Sequence, residues 1–203
     1  MRRPSIQEIH SVMRENDMIV FDTPYSVTLG GIRTKDRESG TFNDWLFASM
    51  FTPNGGIMCA IIEGTVDAGL YYTTNPLNID GTAIIQDGKQ YRGVYRYENP
   101  KKNEGQRGHK GQEAFSQIKA MNYWRDNDRD PILEREGETY TENARTNGHD
   151  MGSNPDKIGR FSAGCWGSNH KNMELLYAMA KLQIKNGIGD TFSYAMLHEK
   201  MFF

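Results

Sequence analysis

Apolar residues in this chain come in short runs separated by turns rich in glycine, asparagine and proline. That texture constrains the fold more than any other feature. Short apolar runs bounded by turn residues build strands, whereas a helix needs a longer amphipathic period. The segments 45–51 and 57–63 flank Pro53-Asn54-Gly55-Gly56, which predicts a hairpin. Further strands are expected at 82–86 and 90–97, joined by Asp87-Gly88, and at Met121-Asn122-Tyr123-Trp124 and 191–197. Near the N-terminus, Met18-Ile19-Val20-Phe21 is a short apolar run and Tyr25-Ser26-Val27-Thr28-Leu29 alternates, so strand texture begins there too.

Two helical patterns interrupt the strands. Ser5-Ile6-Gln7-Glu8 has the form of a capping box, and Ile6, Ile9 and Met13 recur on one face, so the spacing predicts a helix within residues 1–17. Residues 171–187 hold the clearest helix, with Leu175, Met179 and Leu182 on one face and Gly187 as the stop. Segments 98–112 and 125–160 are polar and turn-rich. No internal repeat or linker divides the chain, so residues 1–203 read as one mostly β, β-rich α+β domain.

At 203 residues, such a domain buries a real core. With 24 Lys and Arg against 26 Asp and Glu, it lacks the basic excess of a nucleic-acid binder. Tyr71, Tyr72, Tyr91, Tyr95, Tyr97 and Trp124 are therefore expected to pack rather than stack on bases. No apolar run approaches the roughly 20 residues of a membrane span. The start, Met1-Arg2-Arg3-Pro4-Ser5, has no apolar stretch after it, so neither a membrane partner nor a signal peptide is expected. Asp126-Asn127-Asp128-Arg129-Asp130 alternates carboxylates like a calcium loop. However, Pro131 and Ile132 follow where glycine is needed, and Gly137 stands where a bidentate Glu should, so Asp126 and Asp128 are expected to order the loop. No Cys/His set has zinc-site spacing, so no metal and no cofactor are expected. His10 and His198 read as surface residues. His170 opens the last helix in a capping or surface role.

Of the two cysteines, Cys59 lies in the apolar run 57–62 and is expected as a buried strand residue. Cys165 is set differently, in Phe161-Ser162-Ala163-Gly164-Cys165-Trp166-Gly167, downstream of Asn147-Gly148-His149. A cysteine following glycine in a tight turn leaves backbone N–H groups free to hold an oxyanion, and a thiolate beside them can attack a carbonyl. A nearby imidazole would take the thiol proton and return it to the leaving amine. Local sequence leaves open whether Cys165 and His149 are connected at all.

The spacing from His149 to Ser162-Ala163-Gly164-Cys165 resembles the signature of the L,D-transpeptidase catalytic-domain (YkuD-like) family. The likeness extends to a Ser-Ala-Gly-Cys branch found in phages, prophages and gut bacteria. It rests on ordered pieces across the chain: Gly31-Ile32-Arg33 through Lys35-Asp36, Phe42-Asn43-Asp44-Trp45, Gly81-Thr82-Ala83-Ile84, Trp124 through Asp130, Asn147-Gly148-His149 and Ile158 through Cys165. Ala163 and Gly167 replace the His and the Arg or Asn of better-known members, and Trp166 stands where this branch usually has Gln.

The resemblance implies an L,D-transpeptidase-like β-sandwich or half-open barrel with flanking helices. It implies Cys165 as nucleophile, His149 as base, the turn at Ser162 and Gly164 as oxyanion site, and His109, Arg160 and Trp166 at the substrate. The substrate would be a bacterial peptidoglycan stem peptide, with other virion proteins as further partners. The place of action would be the cell wall, reached from a phage virion or the host cell. The rival expectations are a catalytically decayed virion structural or wall-binding protein on this fold, and a cytoplasmic cysteine hydrolase with another peptide substrate.

Overall fold

The computed structural model describes residues 2–153 and 157–202. Helix α1 (Ile6–Glu15) begins where the capping box places it. Ser5 Oγ accepts from the Glu8 N–H at 3.2 Å, and the Glu8 carboxylate accepts from the Ser5 N–H at 2.7 Å. The chain then builds β1 (Thr28–Arg33), β2 (Asp44–Phe51), β3 (Ile57–Gly64), the short helix α2 (Leu70–Thr74), β4 (Thr82–Ile85), β5 (Lys89–Glu98), β6 (Ala114–Gln117) and β7 (Met121–Asp126). It ends with β8 (Tyr140–Glu142), β9 (Gly148–Asp150), β10 (Trp166–Ser168), α3 (His170–Lys185), β11 (Thr191–His198) and a 3-10 turn (Glu199–Phe202). The fold is mostly β, as the turn-punctuated sequence predicts. Among the described residues no helix is long and apolar enough to cross a membrane.

Eight strands form one sheet in the order β10-β9-β6-β5-β11-β1-β2-β3, and β4-β7-β8 form a second. The large sheet nearly closes. Just past β3, Thr65 N–H donates to the Gly167 carbonyl at 2.8 Å, and Gly167 N–H donates back at 2.9 Å. The two edge strands thus meet in a barrel-like seam, and the seam lies one residue beyond the Cys165-Trp166 step.

A single aromatic cluster joins the layers. The Trp166 ring stacks on Tyr194 and Phe115 with centroids 4.9 and 5.4 Å away, and meets Tyr95 edge-on at 5.6 Å. Helix α3 adds Met173, Leu176, Tyr177 and Ala180 to this core. A second cluster lies under α1, where Ile6, Ile9, Val12 and Met13 pack on Ile32, Phe47, Ile61 and Leu197.

Several expectations change. Residues 18–21 form no strand, and β1 starts only at Thr28, after Tyr25 turns the chain with φ 66°. Residues 82–86 and 90–97 yield β4 and β5 but do not pair, because β4 joins the second sheet through β7. The buried face of α3 excludes Leu175, which is half exposed. Cys59 is exposed, because β3 is an edge strand whose first residues, Ile57 and Met58, also face outward. His10 is buried rather than on the surface, with Nε2 2.8 Å from Ser49 Oγ under α1. His198 is half-buried, and Tyr71 and Tyr72 lie in α2 rather than in a strand. In the acidic loop, Asp126 is fully buried and accepts from the Glu134 N–H, while Asp128 accepts from the Asp130 N–H.

Candidate active site

Two adjacent parallel strands bring the predicted pair together. β9 carries His149, and β10 starts immediately after Cys165 in a register that sets Gly167 opposite His149. The Trp166 N–H donates to the Asn147 carbonyl at 3.1 Å and locks the two strand starts. This close approach needs the glycine of Asn147-Gly148-His149, because a Cβ at Gly148 would lie 2.1 Å from the Trp166 ring. Cys165 Sγ, one nitrogen of His149 and one nitrogen of His109 all lie within 4.8 Å of one another.

The hydrogen bonds assign the tautomers. His149 Nδ1 sits 2.8 Å from the Asp150 carbonyl, which only accepts, so Nδ1 carries the proton. His149 Nε2 is left with a free lone pair and has no hydrogen-bond partner, although the residue is buried. His109 has the opposite form. Asn147 Oδ1 accepts from the Gln117 N–H at 2.9 Å, so the Asn147 amide nitrogen faces His109 Nδ1 at 3.2 Å and donates to it. The proton of His109 then belongs on Nε2. The rings stack with centroids 3.8 Å apart and planes 2° apart. His149 Nε2 is thus able to accept a proton, and His109 stacks on it as a neutral N–H donor.

The electrostatics keep the resting site uncharged. Burial, then the neighbouring His149 and Lys110, push His109 down to about 4. Burial also lowers His149, against the opposing pull of its bond to Asp150. Burial pushes the Cys165 thiol up to about 11, although the Asn147 and Ala163 amides favour the thiolate. The thiol points at the Arg145 carbonyl, 3.7 Å away. At neutral pH the pair is thus thiol and imidazole, not an ion pair.

The turn before Cys165 is held from inside. Ser162 Oγ accepts from the Gly164 N–H at 3.1 Å and lies 2.7 Å from the Cys165 carbonyl and 3.0 Å from the Asp67 carbonyl. Asp67 is anchored in turn by the fully buried Arg33, which grips both its oxygens at 2.7 and 3.1 Å, and by Arg135 at 3.0 Å. Gly164 has φ 115°, a conformation open to glycine, and a Cβ there would lie 2.6 Å from the Ala83 carbonyl. Ser162 is thus a turn-builder. The Gly164 N–H, expected at the oxyanion site, is instead bonded to the Ser162 hydroxyl.

A cleft of about 420 Å³ opens over the thiol, lined by Cys165, His109, Lys110, Arg145, Arg160 and Phe161 among others. Arg160 lies at this cleft with its guanidinium 3.9 Å over the Tyr71 ring. Trp166 does not reach it. The expectation of a substrate contact there is corrected, because the side chain is fully buried in the aromatic core. His170 is exposed and bonds Asp150 Oδ2 at 2.7 Å, on the residue whose carbonyl orients His149. Sequence reasoning gave no part to Asp67, Lys110 and Arg145, and it quoted Asn147 in a motif without seeing that its amide orients His109.

The donor types of His109, His149 and Cys165 would suit zinc. Imidazole lone pairs lie in the ring plane, however, and an ion shared by these parallel rings would sit well out of both planes. Metal ligation would need one ring to rotate. Comparison with family models, with curated proteins and with solved structures returned no match for this chain.

Proposed function

We infer that this protein is a cysteine acyl-transfer enzyme with Cys165 as nucleophile and His149 as base, acting on a peptide of the bacterial wall. The observation that carries this reading is the convergence of a thiol and two imidazoles beneath an open cleft, with His149 Nε2 left without a hydrogen-bond partner. Sγ attacks the scissile carbonyl while its proton passes to His149 Nε2. A sulfur–carbon bond forms, the carbon–nitrogen bond breaks, and the imidazolium returns the proton to the departing amine. A thioester remains. Water or a second amine resolves it, again giving a proton to His149, and the thiol is restored.

The wall peptide follows from the sequence resemblance. The carbonyl would stand next to a D-centre such as meso-diaminopimelate in a stem peptide. Water as acceptor makes a wall-cleaving peptidase, and an amine makes a cross-linking transpeptidase. The phage-like branch favours cleavage, with delivery in a virion or at lysis. A second reading, a wall-binding protein with silent chemistry, draws on the burial that keeps the thiol protonated.

Incubation of purified peptidoglycan with the wild type and with Cys165→Ala separates these readings. Stem-peptide fragments or new cross-links made by the wild type alone support the enzyme. Equal pelleting of both proteins with the wall, with no covalent change in it, leaves only the binding reading.

A further inference from the structure

The thiol and two imidazoles leave the charge around them without a role. Lys110 and Arg145 line the cleft with Cys165, and both also line an adjoining cleft of about 480 Å³, so they stand on the ridge between the two. Both are exposed, and neither meets a carboxylate among the described residues. The acidic residues of the two clefts are already engaged, Glu142 by Arg125 at 2.5 Å and Glu98 by the Gly108 N–H at 2.8 Å and the Ser116 hydroxyl at 2.7 Å. The cleft therefore presents uncompensated positive charge beside a nucleophile, in a chain whose net charge is −2.

The backbone adds an independent observation. Lys110 has φ 50° and Arg145 has φ 59°, in the left-handed region where glycine or asparagine is the unstrained choice. Arg145 is held there by its own N–H on Asn143 Oδ1, and its carbonyl receives both the Asn147 N–H and the Cys165 thiol. Lys110 occupies the tip of the turn that closes between His109 and Gln112. Two strained positions flank the thiol, and each holds a long cation in place of a residue that would fit the backbone better. Strain of this kind collects at ligand clamps.

We propose that Lys110 and Arg145 form a receptor for a substrate carboxylate, so that the enzyme selects peptides with a free carboxylate close to the carbonyl that Cys165 attacks. This deepens the acyl-transfer reading and rests on it. The Arg145 fork suits a two-point bond to a carboxylate, and Lys110 supplies a point charge from across the ridge. Anionic substrates would also be drawn into the cleft before contact.

The test needs no knowledge of the natural substrate. The full chain carrying Cys59→Ser is treated with iodoacetate and, separately, with iodoacetamide, and alkylation of Cys165 is followed by mass spectrometry. In both reactions sulfur displaces iodide from the CH2 carbon and the thiol proton leaves through His149 to solvent, and the reagents differ in charge and in intrinsic reactivity. Each rate is divided by that of free cysteine. Two exposed cations, each worth a few-fold, predict an iodoacetate-to-iodoacetamide ratio about tenfold higher than in the Lys110→Gln/Arg145→Gln variant, shrinking toward unity in concentrated salt. Lys110→Arg should retain the preference.

Equal ratios in the wild type and a folded double variant overturn the receptor while leaving the nucleophile intact. If the double variant does not fold, the wild type alone decides, because a ratio that salt does not change also overturns it. A Cys165 inert to both reagents overturns the accessible nucleophile and the receptor together.

Discussion

Replacing Ser162 by alanine tests whether the turn before Cys165 is built from within. The hydroxyl is fully buried and serves three groups. It has one proton, so it donates to one carbonyl only, and the Cys165 carbonyl at 2.7 Å is the nearer. Alanine strands the Gly164 N–H in a buried place, at about 1–3 kcal/mol, and removes a bond to carbonyl worth about 1 kcal/mol. The expected loss is therefore about 2–4 kcal/mol, a large share of the roughly 5–15 kcal/mol that holds a typical domain folded. With a urea slope near ~2 kcal/mol per molar, the unfolding midpoint should fall by about 1–2 M. Under the proposed function, release of wall peptides should fall further than stability alone explains, because a displacement of about 1 Å at a nucleophile costs on the order of a hundredfold. An unchanged midpoint with unchanged release would refute the argument, since the turn would then hold Cys165 without the hydroxyl.

Trp166→Ala should destabilise the fold by about 3–5 kcal/mol, read by chemical unfolding, because it empties the centre of the aromatic core; a raised KM at unchanged stability would instead put the side chain at the substrate. Stability should also fall as pH rises from about 9 to 11. The folded thiol of Cys165 keeps its proton up to about 11, while the unfolded one releases it near 9.0, so the unfolded state binds fewer protons in that window. Two pKa steps correspond to about 2.7 kcal/mol. The difference in stability between the wild type and Cys165→Ala, followed by unfolding at several pH values, should shrink across that window, and a constant difference would contradict a buried, protonated thiol.

Much of the scaffold is legible because it depends on neighbours in the chain. The Ser5–Glu8 capping box starts α1, and the Pro53–Gly56 turn joins β2 to β3, since caps and hairpin turns are decided within a few residues. The residues alone left the pairing of Cys165 with His149 open, a family resemblance suggested it, and adjacent parallel strands bring the two together. Residues whose setting depends on distant segments were misread. Cys59 looked buried because its neighbours are apolar, but β3 takes an edge position. His10 looked exposed because it lies near a terminus, but α1 folds it over Ser49.

Read alone, the chain settles its β-rich class and its capped first helix, because each follows from local periodicity, while the choice of Cys165 and His149 rests on a family resemblance. Tertiary structure alone decides how those groups can act. The His149 tautomer comes from the Asp150 carbonyl, the opposite tautomer of His109 from an Asn147 amide oriented by Gln117, and the seat of the turn from the Gly69 N–H that donates to the Ser162 carbonyl. Hydrogen-bond direction and burial are set by atoms that meet only after the sheet has curled to its seam at Thr65 and Gly167, and no local pattern records which atoms those will be.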